Sequence, residues 1–414
     1  ILFLIISGLF SNPMWHSMGS ENPKSMDIEL ISSSINQTAI KFSMEGFYLS
    51  SINDLEEEFI IKTENGASIL DEGNPDLQKF SRSIIIPDNA NMSINVISYK
   101  YEDFNDIQIA PSKGNISRLV NPDDIAFTYS NTYQENKFYP NQISELGEPY
   151  ILRDLRGQAI TFYPFQYNPI TKVLRAYSEI VLEVITNDGP SLNTISRTSE
   201  NIKLPNEYNE IYDSHFINYN NDNRFSYLID QGNMLVISNP VFTDIMQPFV
   251  DWKNKKGIPT EMVTTVDTGS TPDEIAAYIS NYYFENGLTF VLLVGDYTQV
   301  FSPLYNGSAS DPSYGFIVGT DVYAEVIIGR FSGDAPGEIE TQVQRSLDYE
   351  KRTDGDYFNN AAGFASNQGP GFGGMSDDDF NDFLWEDILS NFTYDNYDKQ
   401  YDGQGGSDAG GINA

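Results

Sequence analysis

The 414 residues contain no cysteine and two histidines, His16 and His215. Thiolate nucleophiles, disulfides and thiolate metal sites are therefore excluded within the chain, and little remains for imidazole chemistry. Whatever these residues catalyse alone must use hydroxyls and carboxylates. No Gly-x-Ser-x-Gly elbow marks a serine nucleophile. Two places bring carboxylates next to turn-forming glycine. Gly295-Asp296 follows the apolar run Phe290-Val-Leu-Leu-Val294, and reads either as an active-site rim or as a turn that ends a strand. Gly369-Pro-Gly-Phe-Gly-Gly374 precedes Ser376-Asp-Asp-Asp379. Helix amides could cradle a phosphate there, but three aspartates would repel it, and no Walker spacing is present. Those aspartates are either capping charge or the floor of a pocket that selects a cationic group.

The elements that must position these residues change character along the chain. From Met26 to about Asn187, short alternating apolar segments broken by Asn, Asp, Gly and Pro predict an all-β module. Its clearest unit is Ala159 to Asn168, an Asn-Pro turn, then Val173 to Ile185, which reads as one long hairpin. The polar stretch from Asn187 to Gln231 lacks either apolar period over most of its length and is expected to be a linker. From Gly232, strands Met234–Ser238, Thr260–Thr264 and Phe290–Val294 alternate with helices. One helix opens with Thr271-Pro-Asp-Glu274, a capping box with Pro at the first helical position. The uninterrupted run Phe290–Val294 suits a strand buried on both faces of a parallel sheet. A further strand is expected over Tyr323 to Ile328, and helices on Ile339, Val343 and Leu347 and on Phe380, Phe383, Leu384 and Ile388. The second half is thus α/β.

With 59 Asp+Glu against 24 Lys+Arg the formal charge is −35. That argues against nucleic acid as a partner, because a phosphate backbone is held by clustered Lys and Arg. The first ten residues, Ile1 to Phe10, form an apolar run that reads as the h-region of a signal peptide, or else as a short buried segment. No other run approaches the length of a membrane span. An exported bacterial protein, secreted or at the cell surface, is expected.

Three blocks carry a specific likeness: Phe249-Val-Asp-Trp-Lys-Asn-Lys-Lys-Gly257, Phe290-Val-Leu-Leu-Val-Gly-Asp296, and Ser310 through Arg330, in that order and spacing. They resemble the catalytic domain of the gingipain-type cysteine peptidases, and Tyr167-Asn-Pro-Ile-Thr-Lys-Val-Leu174 looks like the propeptide of the same family. The resemblance implies an all-β propeptide domain packed on a caspase-like α/β catalytic domain. It divides the chain into a signal remnant (1–20), the propeptide (21–187), a linker with the processing site (188–231) and the first part of the peptidase domain (232–414).

In that family a His in a Thr-Gly-His-Gly motif and a later Cys do the chemistry on protein or peptide substrates. Neither motif occurs here, and Asp408 to Ala414 resembles the stretch before the His strand. The peptidase domain is therefore expected to be incomplete at its C-terminus and the fragment inactive. The position supporting the catalytic His falls on Gln368, which can orient a ring but supplies no charge. The carboxylate that selects a basic side chain falls on Asp377 or Asp378. The family's processing cut implies Arg224, with Arg197 as second choice. Calcium is also expected, with acidic loops around Asp311, Asp321 and Glu325 as hard oxygen donors, against the alternative of solvated loop charge. A rival reading is a noncatalytic secreted surface or binding module with a degenerate peptidase domain.

Overall fold

A computed structural model describes residues 13–52, 55–63, 65–117, 120, 124–196, 201–221, 226–352, 355–368 and 375–401. The apolar run at residues 1–10 and the stretch 408–414 lie outside them.

The N-terminal module is all-β. One sheet runs Phe165–Asn168, Val173–Asn187, Gln37–Ser43, Asp27–Ser34, with Asn91–Phe104 also paired to Val173–Asn187. A second runs Tyr150–Leu152, Leu155–Phe162, Gln78–Ile85, Ala67–Ser68, with Ser144–Leu146 against Leu155–Phe162. Alternation along Val173–Asn187 puts Ile180, Leu182 and Val184 in a single core with Phe42, Phe80 and Phe162. The Phe42 ring lies 5.4 Å from Phe80 and 5.6 Å from Phe162, tying the two sheets together. Each such phenylalanine contributes roughly 2–3 kcal/mol of burial.

The long hairpin expected from Ala159 is divided. Leu155–Phe162 belongs to the second sheet, and only Phe165–Asn168 pairs with the strand after the turn, Asn168 opposite Val173. Pro164, which has no amide to donate, stands at the crossing between the sheets. The Asn-Pro turn itself is as expected, with the Asn168 side chain accepting from Ile170 N–H at 3.2 Å.

The second half holds a parallel sheet in the order Thr260–Thr264, Met234–Ser238, Phe290–Val294, Ile327–Phe331. Both faces are covered, as the uninterrupted apolar runs demand. Leu235, Ile237, Val291 and Leu293 meet Ile275 and Ile279 of helix Pro272–Asn286 on one side. Val236, Leu292 and Val294 meet Met246, Phe249 and Val250 of helix Thr243–Lys256, and Ile339, Val343 and Leu347 of helix Pro336–Lys351, on the other. Thr271 and Glu274 form the expected capping box. The strand predicted from Tyr323 begins only at Ile327, because a loop precedes it in which Glu325 N–H bonds Gly315 carbonyl. Strands Asn360–Ala365 and Asn396–Tyr401 pair in parallel as a separate ladder. Between them runs helix Asp377–Phe383 and one π turn, Leu384–Ile388, neither with a buried residue.

The stretch expected to be a plain linker is folded. Asn201–Pro205 pairs in parallel with Ser226–Asp230, and helix Asn206–His215 lies between them. Tyr208 and Tyr212 pack with Ile85, Tyr150, Leu155 and Phe216 in a core of their own. The aromatic i, i+4 spacing of Tyr208, Tyr212 and Phe216 carries the helix through an otherwise Asn-rich sequence.

Candidate functional site

In a parallel sheet ligands bind beyond the carboxyl ends of the strands, and here that edge is finished by Gly295 and Asp296. Gly295 adopts φ +129°, and a Cβ there would stand 2.8 Å from Gln299 Cβ, so only glycine fits. Its N–H donates to Phe331 carbonyl and that of Asp296 to Gly333 carbonyl, both at 2.9 Å. The Asp296 carboxylate accepts from Ser332 Oγ at 3.0 Å. Behind this rim Arg330 donates from Nε and Nη2 to the two oxygens of Asp311, each at 2.7 Å, and from Nη1 to Gly295 carbonyl at 2.7 Å. Ser302 Oγ donates to Asp311 at 2.5 Å. Burial pushes the Asp311 carboxyl up, but the Arg330 and Ser302 hydrogen bonds outweigh it and hold the group below its ordinary value. The arrangement braces the rim through one fixed ion pair.

Gln368 and Asp377 are brought together. Asp377 N–H donates to Gln368 carbonyl at 2.8 Å, and Ser366 Oγ donates to Asp377 Oδ2 at 2.8 Å. Gln368 N–H reaches Ser366 Oγ at 3.3 Å. Asp378 instead takes the Ser376 hydroxyl and the Asp379 N–H within the first turn of the helix, whose N-cap is Ser376. The glycine loop 369–374 between the two halves lies outside the described residues, as do Arg197 and Arg224.

Asp321 and Glu325 belong to a different place. Glu325 is fully buried, and its Oε2 accepts from Ile317 N–H at 2.7 Å and Val318 N–H at 3.0 Å. Its Oε1 has no hydrogen-bond partner among the described residues. Burial raises its carboxyl to about 7, despite those two amides. Asp321 accepts from Tyr323 N–H at 3.0 Å and, across the domain boundary, from Ile151 N–H at 2.8 Å. Asp311 is engaged by Arg330 on the sheet rim and does not join them. Among the described residues no group of three His, Cys, Asp or Glu side chains is placed to hold a metal.

The N-terminal module packs directly on this loop. Tyr150 stacks on Tyr323 with ring centres 4.0 Å apart, and its hydroxyl meets His215 Nε2 at 2.7 Å. Asn193 Oδ1 accepts from Thr320 N–H at 3.1 Å. Arg156, fully buried, donates to carbonyls of Pro87, Ala90, Leu192 and Asn193 and so fixes the chain that carries Asn193. The resemblance implies that the two domains pack together, but not which residues make the contact. The one available signal was Arg153-Asp154-Leu-Arg156, two arginines three residues apart in a chain poor in basic side chains.

Comparison with known proteins assigns a family to each half. Residues 19–226 match the profile of the C25 propeptide, and residues 228–410 that of peptidase family C25. Gingipain R2 of Porphyromonas gingivalis is 35% identical over 381 residues, covering 90% of this chain and 51% of its own. Gingipain R1 of the same organism is 33% identical over 363 residues, 86% of this chain and 36% of its own. The solved complex of the pro- and mature domains of RgpB, also from P. gingivalis, aligns with 36% identity and a TM-score of 0.43, covering 47% of this chain and 97% of that one. The chain spans about half the length of gingipain R2. A C25-type propeptide followed without interruption by a C25 peptidase domain, each with its own core and packed on one another, makes this chain a member of the gingipain-type cysteine peptidases, peptidase family C25.

Proposed function

We propose that the protein is the secreted zymogen of a cysteine endopeptidase that cleaves proteins next to a basic side chain. The observation that carries this reading is the presence of both family parts in one chain, with the propeptide hairpin gripping the peptidase loop at Asp321. The same pairing favours the zymogen over a noncatalytic surface module. Because the 414 residues hold no cysteine, the reading assigns the thiolate, and the imidazole that activates it, to residues outside them. Within the chain, Asp377 is the residue to receive a cationic substrate group, its carboxylate steadied by Ser366. Gln368 orients rather than charges its imidazole partner. Arg224 is the processing site, which the meeting of the two family profiles between residues 226 and 228 supports.

Calcium beside Asp321 and Glu325 is part of the same proposal, although among the described residues only these two carboxylates are near enough to serve it. The orphaned, fully buried Glu325 Oε1 is the kind of hard anionic donor that such an ion takes. Bound there, it would neutralise the buried carboxylate and fix the 317–325 loop.

The test is made on the protein from its natural host. It should be latent until cut after Arg224, and then hydrolyse arginyl peptides in a reaction that a thiol alkylating reagent stops. Activity indifferent to alkylation, or none after that cut, would overturn the reading.

A further inference from the structure

Arg153 stands at the tip of the turn joining propeptide strands Tyr150–Leu152 and Leu155–Phe162, with φ +51°. Turn tips face water and arginine is seldom buried, yet Arg153 is only 9% exposed. Its side chain crosses into the peptidase domain. Nη1 donates to Leu288 carbonyl at 2.5 Å and to Glu325 carbonyl at 2.7 Å. The guanidinium lies 4.6 Å from the ring centre of Tyr208 and 5.5 Å from that of Tyr283. Asp154 Oδ2, itself bonded by Tyr212 hydroxyl at 3.1 Å, stands 3.3 Å from Nε.

Leu288 precedes strand Phe290–Val294 and Glu325 precedes strand Ile327–Phe331, so both carbonyls lie at the amino edge of the parallel sheet. The rim of Gly295 and Asp296 is at the opposite, carboxyl edge. Two converging carbonyl dipoles and an aromatic face form a receptor for a flat cation, and a guanidinium meets it with in-plane donors and a π surface.

We infer that Arg153 is the anchor by which the propeptide keeps hold of the peptidase domain once the connecting chain is cut, and that Leu288, Glu325 and Tyr283 form a guanidinium receptor for it. The anchor retains the propeptide from the edge away from the catalytic rim, so retention is separate from occlusion. This rests on the zymogen reading only in supposing that a cut occurs. Other contacts cross the same boundary, among them the Tyr150–Tyr323 stack and the ladder of Asn201–Pro205 with Ser226–Asp230. Losing the anchor therefore weakens the association without abolishing it.

The experiment uses the full chain with residues 222–225 replaced by the recognition sequence of a site-specific protease. After cleavage, the two pieces are diluted and their association is followed by sedimentation velocity. R153M keeps the length and bulk of the side chain but removes its donors and charge, leaving two carbonyls unpaired. It should raise the dissociation constant by about tenfold or more, and R153A by at least as much. R175A removes the same charge from an ion pair with Asp103 inside the propeptide sheet, between strands Val173–Asn187 and Asn91–Phe104, and should leave it unchanged. Far-UV circular dichroism of each uncut variant separates misfolding from lost association; if R153M fails to fold, Y283L on the receptor side should show the same weakening. Correctly folded R153M and R153A pieces that associate like the parent would overturn the inference. Peptidase activity plays no part in this readout, so its outcome stands apart from that of the zymogen reading.

Discussion

Glu325 should make the fold less stable as pH rises, opposite to the usual behaviour of a carboxylate. Its folded value is about 7 against an ordinary 4.5, because burial penalises the charged form. The group's contribution is therefore fully present below pH 4.5 and is lost as pH rises through about 7. The gap between about 7 and the ordinary 4.5 corresponds to a loss of about 3 kcal/mol, a large share of a domain's net stability. The perturbation is Glu325→Gln, which keeps an oxygen for the amides of Ile317 and Val318 and cannot ionise. The assay is urea unfolding in chelator across this pH range, followed by tryptophan fluorescence. With 59 acidic residues in the chain, the absolute profile mixes many groups, so the difference between parent and variant is what reports on this one. The parent should lose about 3 kcal/mol relative to the variant on going from acid to mild alkali. Saturating calcium should remove that loss in the parent alone, since a bound cation neutralises the carboxylate. Parallel profiles for the two proteins in chelator would refute the assignment of a penalised charge to Glu325, and a parent indifferent to calcium would remove the metal from this site.

Gly295→Ala should cost about 2 kcal/mol in urea unfolding, since φ +129° and a Cβ 2.8 Å from Gln299 leave no unstrained conformation; an unchanged midpoint would mean that the turn relaxes freely. Asp311→Ala leaves the half-buried Arg330 guanidinium without its bidentate partner and should cost about 2 kcal/mol, with Asp311→Asn less damaging, and equal losses for the two would show that charge is irrelevant there. Burial lowers the His215 value below 6.5, so its contribution is complete above pH 6.5 and declines as the solution becomes more acidic. Amide exchange in the 317–325 loop should therefore speed up on acidification relative to a His215→Gln variant after correction for intrinsic rates, and coincident protection in the two would rule out a role for its protonation.

The elements that the sequence spelled out are those whose burial has one period. Phe290–Val294 is apolar at every position because helices cover both faces of the sheet, and it is a strand as expected. Thr271 to Glu274 announces its helix by a cap that needs nothing beyond the local backbone. Expectation failed where tertiary context overrides the local pattern. Ala159 to Asn168 is continuous in β character, but Pro164 lets the chain change sheets there. Tyr323 to Ile328 has strand-like residues, yet Glu325 turns inward to collect the amides of Ile317 and Val318, and the ladder starts only after it. Helix Asn206–His215 was hidden because its apolar face is made of tyrosines, which polar neighbours mask in a coarse reading.

The candidate site divides on the same line. The resemblance points to Gln368 and Asp377, and the fold sets them side by side: Asp377 N–H donates to Gln368 carbonyl, and Ser366 Oγ bonds both residues. The grouping of Asp311 with Asp321 and Glu325 rested on acidity and nearness in sequence alone. In the fold, Asp311 turns to Arg330 on strand Ile327–Phe331, while Glu325, only five residues before that arginine, faces the other way into the loop. Five residues of strand and approach span some 15 Å, enough to put two carboxylates at opposite edges of one sheet. The contacts that join the domains left no trace of this kind. Arg153 has one local partner, the neighbouring Asp154, and its main-chain acceptors come only from Leu288 and Glu325, more than a hundred residues further on. Main-chain acceptors have no side-chain identity, so a receptor built from them cannot be recognised from residue types, and it appears only when two separately folded pieces are set against each other.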